Sequence, residues 1–154
     1  MKKLLFFTML AFIALSCQHS HEDHGSATDQ NHVIGKAKDG VFIHITSGYD
    51  NPHRVLMPMK MATMMAKDKD VLVYMDIDAV ELATEDAKEL THAGFDSFRV
   101  YLNKLIEMGV GVYVCPTCLK IGGYIESDLV EGVKLAEKDK FFNFTEGRII
   151  TLDY

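Results

Sequence analysis

Three short apolar runs, Val41–Thr46, Val71–Met75 and Val110–Val114, constrain the fold more than any other feature of the chain. Each is nearly continuous, rich in β-branched residues and bounded by turn signals, so each reads as a strand buried on both faces. The segments between them have helical periodicity. Asn51-Pro52 reads as an N-cap followed by a proline in the first helical turn. That helix is expected to reach about Ala66, with Leu56, Met57, Met61, Met64 and Met65 on its packed face. Pro58 falls inside it and is expected to kink the first turns or delay the regular helix. Phe95–Met108 places Phe98, Tyr101, Leu102, Leu105 and Ile106 on one face, and Gly109 closes it. Strands alternating with helices across short links imply βαβ units and a mainly parallel sheet. Further on, the sequence predicts a short helix over Thr84–Thr91, a helical turn over Thr117–Ile121 and a strand near Val133. A helix over Lys138–Phe144 and a closing strand over Arg148–Leu152 complete a doubly wound α/β domain of about five strands.

The first residues read as an address. Met1-Lys2-Lys3 is basic, Leu4–Leu15 is apolar apart from Thr8, and Ser16-Cys17 follows. The run is shorter than the ~20 apolar residues a spanning helix needs, and the pattern is that of a secretory signal. Ala14-Leu15-Ser16-Cys17 resembles a lipobox, which makes Cys17 the expected lipidation site of a bacterial lipoprotein. The expectation is therefore a signal peptide over 1–16, a lipid-anchored tether over 17–39 and a folded domain over 40–154. The expected location is the cell envelope, facing the periplasm or the cell surface. With 22 acidic against 16 basic side chains and a net charge of −6, the chain is a poor partner for nucleic acid or anionic lipid. Membrane attachment would come through acyl chains on Cys17.

The tether is polar and holds His19, His21, His24 and His32. Imidazoles suit zinc or copper, so His19, His21 and His24 are candidate metal ligands, beside the plainer reading of a solvated linker. The run Met57-Pro58-Met59-Lys60-Met61 invites a copper(I) reading, but helical spacing assigns its methionines to core packing. His44, inside the first strand, reads as a satisfied core histidine.

In a parallel sheet the loops after the strands' carboxyl ends share one edge, and ligands bind there. That edge is expected to collect Tyr49, Asp50 and His53 from the first loop, Asp76 and Asp78 from the second, and Cys115-Pro116-Thr117-Cys118 from the third. The chain has three cysteines; with Cys17 set aside for lipid, the other two form this pair. A cysteine that ends a strand and enters a helical turn meets unpaired N–H groups, which favour the thiolate. Cys115 is therefore the expected nucleophile at the exposed edge. Cys118 is the expected resolving thiol, buried near Leu119 and Ile121, and His53 is the imidazole best placed to assist. A structural zinc site needs four ligands, and there is no second cysteine pair. Thioredoxin-like folds set a cis-proline after the motif, whereas the three prolines here are Pro52, Pro58 and Pro116.

Three stretches carry a family resemblance. They are Ile45-Thr-Ser-Gly-Tyr-Asp-Asn-Pro-His-Arg-Val-Leu, the helix with Lys60-Met-Ala, and Val112-Tyr-Val-Cys-Pro-Thr-Cys-Leu-Lys-Ile-Gly-Gly-Tyr with Asp128-Leu-Val-Glu-Gly-Val after it. Together they resemble the DsrE/DsrF-like family over about Val41 to Tyr154. The resemblance implies a flavodoxin-like α/β domain that assembles into homo-oligomers. Some relatives are cytoplasmic sulfur-relay proteins that carry a persulfide on a cysteine in the corresponding loop, which corresponds to Cys115. Cys118 and the export signal depart from that pattern. Three functions stay open at this point: a sulfur carrier using Cys115 and Cys118, a copper- or zinc-binding module using the cysteines or the histidine tether, and a dithiol-disulfide oxidoreductase. Sulfurtransferase or thiol redox activity would follow from the first and third.

Overall fold

The computed structural model describes residues 37–141 and 143–154. The expected signal peptide and residues 17–36 of the expected tether, with Cys17, His19, His21 and His24, lie outside the described residues. Five strands form one sheet: β1 (Gly40–Ile45), β2 (Asp70–Met75), β3 (Gly111–Val114), β4 (Val133–Leu135) and β5 (Ile149–Asp153). Their order is β4-β3-β2-β1-β5, and every pairing is parallel. The helices are α1 (Pro52–Met65), α2 (Phe98–Glu107), α3 (Pro116–Ile121) and α4 (Lys138–Phe141), with 3₁₀ turns at Ile77–Ala83 and Glu126–Asp128.

Strand order decides which helix covers which face. From β1 to β4 the chain steps one way, so right-handed crossovers put α1, α2 and α3 on the same face. The last crossover runs back past β1 to reach β5, and that reversal puts α4 on the other face. The register assigns residues accordingly. Ile43 pairs with Val73, Val73 with Val112, and Val112 with Val133. These alternate positions face α1 and α2, and Ile43, Val73 and Val112 are fully buried with Leu56, Met59, Leu102 and Leu105. Each large side chain so buried contributes ~1.5–3 kcal/mol. The opposite face carries His44, Tyr74, Tyr113 and Lys134, paired in that order across β1 to β4. Its cover is thin: Phe141 of α4 meets Phe42, Tyr74 and Tyr113 at ring-centroid distances of 5.9, 4.9 and 6.0 Å.

Helix α1 begins as expected, with the Asn51 side chain accepting from the Arg54 N–H at 3.3 Å and Pro52 first in the helix. It continues through Pro58. Its packed stripe differs from the methionine stripe read from the sequence. Val55, Leu56, Met59, Ala62 and Thr63 are buried, while Met64 is 56% exposed. Several overlapping stripes along this helix are apolar, and only the position of the sheet selects one of them.

The helix expected over Thr84–Thr91 is absent. Its backbone and side chains serve the start of α2 instead. The Leu90 carbonyl accepts the Phe98 N–H at 3.0 Å, the Glu89 carboxylate accepts the Arg99 N–H at 3.0 Å, and the Arg99 guanidinium donates to the Thr84 carbonyl at 2.8 Å. The first two bonds satisfy orphan N–H groups of a helix start, and α2 begins at Phe98 rather than the expected Phe95.

Candidate functional site

Strands β2 and β3 deliver the site. The Cys115 N–H bonds to the Met75 carbonyl at 2.9 Å, continuing the ladder one residue beyond β3. Cys115 then caps α3: its sulfur accepts the Cys118 N–H at 3.4 Å, and its carbonyl accepts the Leu119 N–H at 2.9 Å. Pro116 suits the next position because a first-turn N–H has no helical partner to lose.

Both thiols are half-buried and free, and their surroundings divide them. Burial pushes the Cys115 thiol up. The Cys118 N–H, bonded to its sulfur at 3.4 Å, and the nearby Tyr74 hydroxyl, Cys118 thiol and Thr117 N–H outweigh it, so Cys115 stands below the ordinary thiol range. The Ile77 N–H favours the Cys118 thiolate. Burial, its own bond to Cys115 and the negative charges of Cys115 and Asp76 outweigh that contact and hold Cys118 above the ordinary range. Of the two, Cys115 therefore gives up its proton more readily and Cys118 holds its own more firmly.

The expected contrast of an exposed Cys115 and a buried Cys118 is not found. Leu119 is buried, but Ile121 is 80% exposed, and Cys118 lines an open cavity of about 280 Å³ with Ile77, Asp78, Ile121 and Gly122. The six-residue α3 is too short to cover both of its sides, so Ile121 stays at its outer end.

Ile77 shapes this corner. Its φ is +48°, a left-handed conformation that a β-branched residue rarely adopts and that costs about 1–3 kcal/mol. The flanking backbone holds it there: Asp76 N–H donates to the Ile45 carbonyl at 3.1 Å and Asp78 N–H to the Thr46 carbonyl at 3.2 Å.

The other edge residues scatter. Asp76 faces His44, with Nε2 to Oδ2 at 3.0 Å, and the other His44 nitrogen meets Asp153 at 3.0 Å. The Asp76 contact has a hydrogen bond's length but a poor angle, so His44 Nε2 has no aligned partner, and we read the contact as electrostatic. His44 is therefore half-buried between two carboxylates on the thinly covered sheet face, and not in the core. Asp78 lines the Cys118 cavity. Tyr49 donates to the Lys88 carbonyl at 2.6 Å, and Asp50 accepts the Gly48 N–H at 3.0 Å. His53 is exposed, stacks on His92 at 5.5 Å and meets the Phe95 ring at a tilt, 5.3 Å away. It is not among the groups hydrogen-bonded to Cys115.

Sequence reasoning missed Tyr74 and Ile77. Strand alternation offered a signal for Tyr74, since residues 74, 76, 113 and 115 fall on one face once β2 and β3 are paired. Nothing local marked Ile77. Among the described residues, no group of three or more His, Cys, Asp or Glu side chains is arranged to hold a metal ion; Cys115 and Cys118 supply two ligands. Among the same residues, no helix is long and apolar enough to cross a membrane.

A five-stranded all-parallel α/β domain with a thiol pair at the carboxyl end of one strand defines the class of protein. The chain belongs to the DsrE/DsrF-like family, whose model matches residues 39–147, and that family is associated with sulfur relay. The "Uncharacterized protein MJ0760" of Methanocaldococcus jannaschii is 25% identical over 108 residues, which are 69% of this chain and 39% of that protein. The chain thus spans about two fifths of the curated relative it matches. Two solved structures share the fold. The ychN protein from E. coli superposes with a TM-score of 0.60 at 18% identity, covering 74% of this chain and 99% of that one. The protein of unknown function MTH1491 from Methanobacterium thermoautotrophicum gives 0.53 at 22% identity, covering 65% and 83%.

Proposed function

We propose that this chain is a sulfur carrier in which Cys115 accepts sulfane sulfur and Cys118 resolves it. The observation that carries this reading is the placement of Cys115 at the end of β3, where its sulfur caps α3 and accepts the Cys118 N–H at 3.4 Å; its surroundings favour charge on Cys115 and disfavour it on Cys118. The Cys115 thiolate attacks the terminal sulfur of a persulfide or polysulfide donor R–S–SH. The donor's S–S bond breaks, RS⁻ leaves with the electron pair, and Cys115 becomes Cys115–S–SH. An acceptor thiolate that attacks the outer sulfur regenerates Cys115. Without an acceptor, Cys118, after losing its proton to solvent, attacks the inner sulfur. A Cys115–Cys118 disulfide forms, HS⁻ leaves, and an external dithiol reductant must restore the pair.

The test uses inorganic polysulfide as donor and mass spectrometry of the Cys115 peptide. Cys118→Ser traps one added sulfur on Cys115, and Cys115→Ser does not load. Equal loading of the two single variants, or loading of neither, overturns the reading. Turnover of a small disulfide with a dithiol reductant, without sulfur loading, would make the pair an oxidoreductase.

Two further proposals concern setting. Lipid on Cys17 holds the domain at the cell envelope; the basic, apolar and Ser16-Cys17 pattern supports this. The domain also self-associates; exposed Ile77, Ile121 and Ile125 near the thiols and Ile149 and Ile150 on edge strand β5 support this, since grouped exposed apolar residues favour contact. Lipid-free protein is then larger than one chain in sedimentation at micromolar concentration, and a clean monomer removes the proposal.

A further inference from the structure

We propose that Tyr74 is the positioning residue of the thiol site, its hydroxyl clamped on the thinly covered sheet face and donating to the Cys115 sulfur. The proposal rests on the reading of Cys115 as the nucleophile. Backbone geometry fixes the pair. Tyr74 is registered opposite Tyr113, alternation puts Cys115 on the same face, and the Cys115 N–H is tied to the carbonyl of Met75, Tyr74's chain neighbour, at 2.9 Å.

The ring is held from several sides. His44 stacks on it at 5.3 Å with 25° between planes, Phe141 meets it edge-on at 4.9 Å and 87°, and Phe42 lies at 6.2 Å. His44 is itself held between Asp76 and Asp153. A phenol so confined loses little entropy when it bonds a sulfur, and a bond to an ionised acceptor is about twice as strong as a neutral one.

The charged and titratable groups around Cys115 leave Tyr74 as the side-chain donor that stays protonated. Asp76, at the end of β2, is an acidic neighbour that opposes charge on Cys118. Cys118, on α3, holds its proton in competition. His44 on β1 and Asp153 on β5 lie behind Asp76, and Lys134 on β4 sits over the Tyr113 ring, 6.0 Å from its centroid. Burial, the bond to Cys115 and the negative charges of Cys115, Asp76 and Cys118 all raise the Tyr74 hydroxyl well above the ordinary tyrosine range. It therefore donates throughout the range in which a thiol titrates.

A donor that stabilises the thiolate has two opposed effects. It raises the thiolate fraction at neutral pH, and it lowers the nucleophilicity of each thiolate, with a Brønsted slope of about 0.4–0.5. Losing it therefore moves the pH profile more than the plateau, a signature that a merely structural loss does not produce.

The experiment follows alkylation of the Cys115 peptide by iodoacetamide in the full chain, from about pH 5 to about pH 10. Tyr74→Phe keeps the clamped ring and removes the hydroxyl. The expected midpoint rises by about one unit, so the thiolate fraction below it falls about tenfold; each thiolate reacts about threefold faster, so the rate falls only about threefold below the midpoint while the high-pH plateau rises about threefold. An unmoved midpoint in a folded Tyr74→Phe protein overturns the proposal. Should that variant not fold, Phe141→Leu loosens the clamp and keeps the hydroxyl, and an unmoved midpoint there overturns it equally. Alkylation needs no sulfur donor, so this result is independent of whether Cys115 loads polysulfide sulfur.

Discussion

Ile77 and Cys118 wall the same cavity, and Ile77 stands there with a φ of +48°, its backbone N–H favouring the Cys118 thiolate. A residue at the end of β2 thus spends conformational energy to hold a thiol that arrives from β3. Ile77 is also 58% exposed, so its side chain returns little of that energy through burial.

Ile77→Gly is expected to leave stability unchanged or raise it by up to about 1 kcal/mol, because glycine occupies positive φ without steric cost while losing more entropy on folding. Ile77→Pro cannot adopt this φ and has no N–H to offer Cys118. It is expected to cost about 3 kcal/mol. Thermal unfolding of the two variants reads both signs.

The thiols predict a pH signature of reactivity. With Cys115 below the ordinary thiol range and Cys118 above it, limiting iodoacetamide at pH ~7 should modify Cys115 at least about tenfold faster. Peptide mapping after short exposure checks this, and equal labelling would contradict the division of the pair.

Stability should follow the same two groups with opposite signs. The lowered Cys115 contributes stability above its unfolded value, lost as pH falls through its folded value. The raised Cys118 contributes stability below its unfolded value, lost as pH rises through its folded value. The contribution of the pair is therefore largest near the ordinary thiol range. Cys115→Ser should remove the acid-side loss and, with the neighbouring anion gone, reduce the alkaline loss. Melting temperature against pH for the wild type and this variant is the measurement.

Gly48 links the first loop to the second. A methyl group there would lie 2.8 Å from the Asp78 carbonyl oxygen, inside any real contact, and backbone yields less readily than a side chain. Gly48→Ala is expected to cost about 1–3 kcal/mol and to displace the Ile77–Asp78 corner from Cys118. A fall in melting temperature together with faster Cys118 alkylation is the expected result, since the cavity wall would open.

Labelled palmitate should enter the full chain and not Cys17→Ser, if the Ser16-Cys17 boundary is a lipidation site as its pattern indicates. Equal incorporation into both would remove the anchor.

The layout of strands was legible because local rules sufficed. Val41–Thr46, Val71–Met75 and Val110–Val114 hold the three inner strands, Asn51-Pro52 starts α1, and Gly109, with φ +76°, ends α2. The placement of Cys115 at the carboxyl edge followed from the same alternation. These features are carried by residues within one turn or one strand, where spacing and backbone preference act alone. The methionine stripe of α1 and the helix at Thr84–Thr91 were misjudged because each competed with partners distant in sequence. The sheet chose Val55, Met59 and Ala62 over Met64, and the start of α2 drew in Leu90 and Glu89.

The sequence by itself determined a parallel α/β domain with two cysteines one turn apart at a strand end. Only the tertiary structure decided which groups meet them. Periodicity says which residues share a face, but not which face is covered. That depends on the crossover from β4 back past β1 to β5, which brings Phe141 onto Tyr74 and leaves His44 and Tyr74 half-buried. The contacts of Tyr74 with Cys115 and of Ile77 with Cys118 join residues about forty positions apart. Strand register places them within reach, and no short-range preference along the chain encodes that register.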